Sequence, residues 1–321
     1  GVYHLRMVAS LPAITLTPRP PFDAGPILGY LSRSPLEPLD VVANGVYRRA
    51  VRLGGQPVLL EAAPGGTVDA PTVTVRVLAV GDRDAPDEPA DDAATLALAA
   101  DAISRWWRLE QDPAELEAIA ARDPVFGALL ARLYGARAPL MASPFECLVW
   151  AILGQQITVA FAYKMKRALV ERYGDSITYE GQVYRLFPEA ARLAEASPDD
   201  LREIQFSRQK SDYARSLAAL VAEDRIPWAE LAAATSEQAI SALTALRGVG
   251  RWTAEYVLMR GLGHPDVIPA ADVGLQAAIG QAYGLGKKAT EQQVRALAEH
   301  WAPRRSHAAF AWWWSRSAKA P

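Results

Sequence analysis

Leu246-Arg-Gly-Val-Gly-Arg-Trp-Thr-Ala-Glu-Tyr256, followed by Ile268-Pro-Ala-Ala-Asp272-Val-Gly274, is the stretch whose reading decides the fold. Gly248 and Gly250 bracket one apolar residue, and Trp252, Tyr256 and Met259 then recur at helical spacing, so a tight glycine hairpin opens into a helix. Such a turn lacks the side chains that block approach. Its outward N–H groups, closed by a helix N-terminus, suit it to gripping a phosphate oxygen. Some twenty residues on, Asp272 precedes Val273-Gly-Leu-Gln-Ala-Ala-Ile279, which has the apolar rhythm of another helix. An Asp there is either an N-cap with no chemistry or a carboxylate presented at a helix start.

At these residues the chain resembles the helix-hairpin-helix DNA glycosylases, whose signature is a hairpin, a Gly/Pro-containing loop and an Asp. Gly-Val-Gly-Arg-Trp-Thr-Ala with Asp272 is more closely similar to the branch typified by 3-methyladenine DNA glycosylase II. The similarity runs from about Ser143 to Arg316, over half of the chain. It implies a helical catalytic unit of two halves with the active site in the cleft between them. Relatives that also cut the backbone carry a Schiff-base lysine where Trp252 stands, so the resemblance implies a monofunctional enzyme without lyase activity. The iron–sulfur branch needs a cysteine cluster, and Cys147 is the only cysteine.

At 321 residues, half of them apolar, the chain is long enough for two or three packed units. No run of eighteen apolar residues and no secretory pattern appears, and one cysteine excludes a disulfide within the chain. A reducing bacterial cytoplasm is therefore the expected compartment, with nucleoid association during work, and Cys147 is expected to be a buried structural thiol. A net charge of −2 argues against the broad basic surface of a DNA coat protein. Any DNA grip must be local, made by hairpin amides and a few Lys or Arg.

Between Thr15 and Val80 the pattern has mostly period two. Val46–Leu53, Gly54-Gly55 and Val58–Glu61 read as a hairpin, Thr72–Val77 as a third strand, and Pro26–Leu31 as one interrupting helix. The expected fold is therefore α+β: residues 1–81 form an antiparallel sheet domain with helix, 82–92 an acidic linker, and 93–321 an all-α unit. Thr17-Pro-Arg-Pro-Pro-Phe-Asp23 with Leu28-Gly-Tyr-Leu31 also resembles the N-terminal domain of the same glycosylases. The first few residues stay outside this fold argument. Beyond the linker everything reads as helical, with starts at Ser143-Pro144-Phe-Glu146, a capping box, and at Ser197-Pro198.

Gly154-Gln155-Gln156-Ile157 interrupts an apolar helix, either as a protruding tip or as a solvated junction. In the alkylation-repair relatives a Leu wedge occupies the Gln156 position and fills the gap left by a flipped base; Gln hydrogen-bonds better and stacks less well. Five of nine tryptophans lie at or beyond Trp252, which concentrates any aromatic pocket there. Trp252 and Tyr256 share one helix face, while Phe310, Trp313 and Trp314 share another. Core packing is the ordinary explanation and is preferred for Trp301 and Trp312. Trp252, Tyr256, Trp313 and Trp314 match pocket aromatics of the resembled enzymes. Such a slot favours cationic N-alkylated purines by roughly 0.5–2 kcal/mol over neutral bases.

The four histidines form no cluster, and His307 reads as an ordinary helix residue. Asp272 is the expected catalytic group, stabilising the oxocarbenium-like sugar and orienting water. Gln155, Gln156, Gly248, Val249, Gly250, Arg251 and Thr253 are the expected DNA-contacting set; for Arg251, Lys287 and Lys288 solvated charge is the plainer reading. No ligand spacing for a metal is present, and no cofactor is required, although hairpin carbonyls in the resembled family can hold a monovalent cation, sodium or potassium. The expected partner is duplex DNA bearing 3-methyladenine- or 7-methylguanine-type bases, engaged by a monomer without a membrane. A non-catalytic binder of branched or distorted DNA on the same fold is the alternative, and Gln156 leaves room for it.

Overall fold

The computed structural model describes residues 4–7, 13–82 and 92–316. Strands β1 (His4–Met7) and β2 (Ile14–Leu16), helix α1 (Gly25–Leu31), and strands β3 (Val41–Ala43), β4 (Val46–Leu53), β5 (Gln56–Thr67) and β6 (Ala70–Asp82) come first. The strands form one antiparallel sheet in the order β1-β6-β5-β4-β3, with β2 also pairing with β6. Residues left out of the sequence argument thus supply an outer strand. Of the expected acidic linker, residues 83–91 lie outside the described residues.

Alternation along β5 aims Val58 and Leu60 at one face and Leu59 at the other. Both faces are covered by later chain. Helix α2 (Asp92–Trp106) lies in the span assigned from sequence to the helical unit, yet its Leu96, Ala99, Ile103 and Trp106 pack with Val58, Leu60, Val73 and Val75. The opposite face closes with Ile177, Tyr184 and Leu186 against Ala50, Leu59 and Ala79.

Those last residues correct the all-α expectation for 93–321. After α3 (Ala114–Arg122), α4 (Pro124–Arg132), α5 (Pro144–Gly154) and α6 (Val159–Tyr173) come strands β7 (Ser176–Tyr179) and β8 (Gln182–Arg185), an antiparallel hairpin. Glu180 and Gly181 make its turn with φ of +49° and +77°, the two left-handed positions a two-residue hairpin needs. Alternation there aims Ile177 and Tyr184 at the sheet.

The remaining helices are α7 (Ala190–Ala194), α8 (Pro198–Glu203), α9 (Arg208–Ala222), α10 (Trp228–Ala233), α11 (Ser236–Thr244), α12 (Arg251–Val257), α13 (Val273–Ala282), α14 (Glu291–Ala298) and α15 (Arg305–Ser315). A π-turn, Leu258–Leu262, ends α12, and a 3-10 turn, Glu299–Trp301, ends α14. Two apolar cores organise them near the site. One joins α3, α4, α13, α14 and α15 around Phe126, Ile279, Trp301 and Trp312; the other joins α5, α6, α10, α11 and α12 around Leu148, Ile152, Leu243 and Val257. Trp313 packs against both.

Helix α5 begins as expected, with Ser143 Oγ accepting from the Glu146 N–H at 3.1 Å and Pro144 at the first position. The capping box is only half made. The Glu146 carboxylate turns instead to Arg49 of β4, which also donates to Asp40 at 2.7 Å, while Lys166 of α6 reaches Glu37 at 2.9 Å and Glu146 at 3.5 Å. All five side chains are at least nine-tenths buried, so this ion network pins the sheet to the helices that carry the site. Cys147, beside it, is buried, and burial pushes its thiol well up from the usual range, as a structural role requires.

Candidate active site

Hairpin geometry follows from one contact. Gly248 has φ of +90°, and a Cβ there would lie 2.4 Å from the Tyr213 ring of α9, so both conformation and space demand glycine. Gly250 starts α12 with no side-chain cap and with open space around its Cα, which leaves the first-turn N–H groups for an outside acceptor. Among the described residues the Gly248 and Gly250 N–H groups meet no acceptor. The Val249 N–H does not share this freedom, because it closes the turn to the Leu246 carbonyl at 3.1 Å, and its side chain is buried.

Several of the expected DNA contacts also brace the hairpin. Gln155 Nε2 donates to the Gly248 carbonyl and to Thr253 Oγ1, both at 3.1 Å, and Thr253 is itself buried. These two residues hold the hairpin against the end of α5, with Thr253 turned inward and Gln155 only half-buried. Arg251 is bound to Glu237 at 2.7 Å and to Glu255 at 2.9 Å, so its charge is already matched. Gln156 does protrude. It is exposed and held at φ of +58°, a left-handed conformation uncommon outside glycine, at the tip between α5 and α6.

Gln155, Gln156, Lys210, Tyr213 and the hairpin line a groove of about 550 Å³. Lys210 was not singled out from sequence. Its Nζ donates to the Leu153 carbonyl at 2.6 Å, and partial burial lowers its pKa. The signal available was its place three residues after the Ser207 cap and three before Tyr213.

An aromatic row runs along the junction of the two helical cores. Trp252 and Tyr256 have ring centroids 5.5 Å apart, and Tyr256 and Trp313 5.8 Å apart. Trp252 and Trp313 remain half-exposed, whereas Tyr256 is buried and accepts from Trp150 Nε1 at 3.0 Å through its hydroxyl. Burial pushes that hydroxyl far up, so it is a neutral phenol. Trp314 is not brought into the row. One position further round α15, it is buried in the core with Phe310 and Trp312 and makes no ring contact with the other three among the described residues.

The row ends on Asp272. Its Oδ1 accepts from the Leu275 N–H at 2.8 Å, capping α13, and from Trp313 Nε1 at 2.8 Å. Cap and presented carboxylate, open alternatives in the sequence, coexist here. Gly274 permits this, since a Cβ at that position would press on Asp272 Oδ1 at 3.2 Å and approach the Trp313 ring at 3.9 Å. Asp272 is half-buried, and its Oδ2 accepts no hydrogen bond from the described residues. A charge fixed in this way can stabilise a cation forming beside it.

His307 lies elsewhere. It is buried, its Nδ1 lies 3.3 Å from Gln111 Nε2, and burial, with help from Arg137, Arg108 and Arg304, lowers its pKa to about 3. Lys287 and Lys288 are exposed. Among the described residues no group of three His, Cys, Asp or Glu side chains is placed to hold a metal, and no helix is long and apolar enough to cross a membrane.

Comparison with known proteins shows which families the two parts of the chain match. Residues 149–304 match the HhH-GPD superfamily base excision DNA repair protein family, and residues 13–143 match the AlkA N-terminal domain, a span that takes in α2. The chain is 31% identical over 292 residues to the DNA-3-methyladenine glycosylase of Bacillus subtilis, covering 91% of this chain and 93% of that protein. It is 29% identical to DNA-3-methyladenine glycosylase 2 of Escherichia coli, covering 94% and 96%. Among solved structures, the 3-methyladenine DNA-glycosylase of Archaeoglobus fulgidus superposes with a TM-score of 0.78 at 28% identity, over 94% of this chain and 97% of that one.

Proposed function

Because the chain belongs to the HhH-GPD superfamily of base excision DNA repair proteins, we propose that it is a DNA glycosylase that hydrolyses the N-glycosidic bond of alkylated purines in duplex DNA. The observation that carries this reading is the row Trp252–Tyr256–Trp313 ending in a hydrogen bond to Asp272. Base selection and bond cleavage are then served by one contiguous surface.

The damaged nucleotide leaves the stack at a cost on the order of a few kcal/mol, less for a damaged pair. Gln156 enters the gap. Free hairpin N–H groups at Gly248 and Gly250 take a backbone phosphate, and the groove beside Lys210 and Tyr213 follows the strand. Tryptophan faces hold the cationic base, whose alkylation has already weakened the bond to the sugar, so no strong general acid is needed. As the base departs, the Asp272 carboxylate stabilises the oxocarbenium-like sugar, a contribution of about 3–4 kcal/mol for one preplaced group. Its unengaged Oδ2 is the atom suited to orient the attacking water.

The position of the Schiff-base lysine is held by Trp252, so the reaction stops at the abasic site, without lyase chemistry. The Leu246 and Gly248 carbonyls each accept one hydrogen bond and keep a second lone pair, which fits a sodium or potassium ion shared with phosphate. Nothing in the hydrolysis depends on that ion.

Methylated duplex DNA incubated with the protein is expected to release free 3-methyladenine or 7-methylguanine, detected by chromatography. Binding without release would favour a non-catalytic DNA binder. A borohydride-trapped covalent adduct would overturn the monofunctional assignment.

A further inference from the structure

Tyr256 stands in the middle of the aromatic row, and the far end of its ring is held by a residue that the proposed chemistry leaves without a task. Trp150 of α5 is buried and donates its indole N–H to the Tyr256 hydroxyl at 3.0 Å. Rotation about χ2 of a tyrosine is broad, so neighbours rather than a rotamer fix the ring. Trp252 and Trp313, with centroids 5.5 Å and 5.8 Å away, flank it along the row. The hydroxyl lies on the ring axis, and a donor there fixes where the far end points. Tyr30 of the sheet domain hydrogen-bonds the same hydroxyl. Trp150 is itself seated by the Tyr163 ring, 4.9 Å away between centroids, and by Lys166, whose Nζ lies 5.7 Å from the indole centroid. Lys166 belongs to the buried ion network, so the donor stands on a fixed base.

Resting on the proposed glycosylase activity, we infer that Trp150 is a positioning residue, which sets Tyr256 in the row for base excision and ties the row to the helix that carries the Gln156 tip. Helix α5 touches the row twice. Trp150 and Gly154 are one turn apart on one face, and a Cβ on Gly154 would lie 3.9 Å from the Trp252 ring, so this face runs behind Trp252 and Tyr256. Just past it Gln155 holds the Gly248 carbonyl of the hairpin, and Gln156 protrudes. One helix thus sets the register of the tip, the hairpin and the middle of the row. Trp313 Nε1 pins the acid end of the row in the same way. Burial of an indole does not by itself account for such a bond, since Trp312 is also buried and its Nε1 meets no acceptor. A misplacement of about 1 Å in a reacting geometry costs on the order of 100-fold in rate. A Tyr256 ring released from Trp150 therefore slows excision without loosening the grip on DNA, which the hairpin supplies.

The test measures single-turnover base release and affinity on a duplex carrying one 7-methylguanine, for the full chain, Trp150→Phe, Tyr256→Phe and the double variant. Indole N–H NMR spectra of the free proteins accompany it. Phe at position 150 keeps a ring against Tyr163 but has no N–H to donate. Its release rate is expected to fall about tenfold, with the dissociation constant for the damaged duplex unchanged. The double variant is expected to be no slower than the slower single variant, because both substitutions remove one shared bond. In the spectra, Trp150→Phe is expected to shift the Trp252 and Trp313 signals and to leave that of Trp301 in place. Losses that multiply in the double variant would overturn the inference, as would a Trp150→Phe chain with a lower melting temperature and a wild-type rate. Unmoved Trp252 and Trp313 signals would do so too. A wild-type chain that releases no methylated purine would instead sink the glycosylase reading, and shifted Trp252 and Trp313 signals would still uphold Trp150 as the group that sets the row.

Discussion

Trp313 Nε1 donates to the same Asp272 oxygen, Oδ1, that caps helix α13, so one oxygen carries both structural duties and Oδ2 is left over. This division separates stability from chemistry. An Asn keeps an acceptor for the cap and for the indole but removes the charge. Asp272→Asn is therefore expected to keep its melting temperature and its affinity for damaged DNA while base release falls by a factor of a hundred or more. Asp272→Ala should in addition lose about 1 kcal/mol of stability with the cap. Single-turnover assays alongside thermal melts check both, and an Asn variant with wild-type turnover would remove Asp272 from catalysis.

Trp313→Phe retains most of the ring contact with Tyr256 but frees Oδ1 from the indole. Catalysis is expected to fall roughly tenfold, in line with a lost hydrogen bond to a charged group of about 1.5 kcal/mol, mostly in kcat. A change confined to KM would make Trp313 a stacking surface only.

The two hairpin glycines should behave differently. Gly248→Ala meets the Tyr213 ring and an unfavourable φ, so it is expected to lose at least about 1–2 kcal/mol of stability together with DNA binding. Gly250→Ala meets no neighbour within 4 Å and should melt like the wild type, with weaker binding to undamaged and damaged DNA alike. Equal melting temperatures for the two variants would contradict the Tyr213 contact.

Removing one member of the ion network should be costly. Arg49→Met leaves Glu146 and Asp40 buried with reduced compensation, an expected loss of about 3–5 kcal/mol in urea denaturation. Adding Glu146→Gln should restore part of it. A double variant no better than the single one would show that the two side chains do not act as a pair.

His307 makes the fold sensitive to acid. It stays neutral in the native state down to about pH 3, whereas in the unfolded chain it takes up a proton near pH 6.5. Below pH 6.5 the unfolded state therefore binds the extra proton, and stability declines as pH falls through the window from 6.5 to 3. The decline should reach about 2–3 kcal/mol at pH 4.5. His307→Gln should flatten that part of the profile, and an unchanged slope between pH 6.5 and 4.5 would refute the assignment.

Local patterns carried most of the architecture. The hairpin at Gly248–Gly250, the cap at Asp272, the strands β4 to β6 and the faces bearing Trp252, Tyr256 and Trp313 all follow from spacing within one or two turns. Contacts between distant segments were not legible. Arg251 looks like a free cation until α11 brings Glu237 beside it, and Gln155 looks like a protruding tip until the Gly248 carbonyl arrives above it. The β7–β8 hairpin escaped because its strands have four residues each, too few to set an alternation against the surrounding helical pattern, although Glu180-Gly181 marked its turn. Tyr30 of the sheet domain packs its ring 5.0 Å from that of Phe310 in α15, a contact between distant segments that no periodicity reveals.

Closure of the sheet by Ile177, Tyr184 and Leu186 has a consequence for biosynthesis. When the ribosome has released the six strands, Ala50, Leu59 and Ala79 still face water, and they remain so until another hundred or so residues have emerged. The nascent N-terminal portion is thus expected to stay protease-sensitive, and to engage trigger-type holding chaperones, until translation passes Leu186. A segment from within the helical unit thus completes the sheet domain, so the two are not made as independent modules in succession.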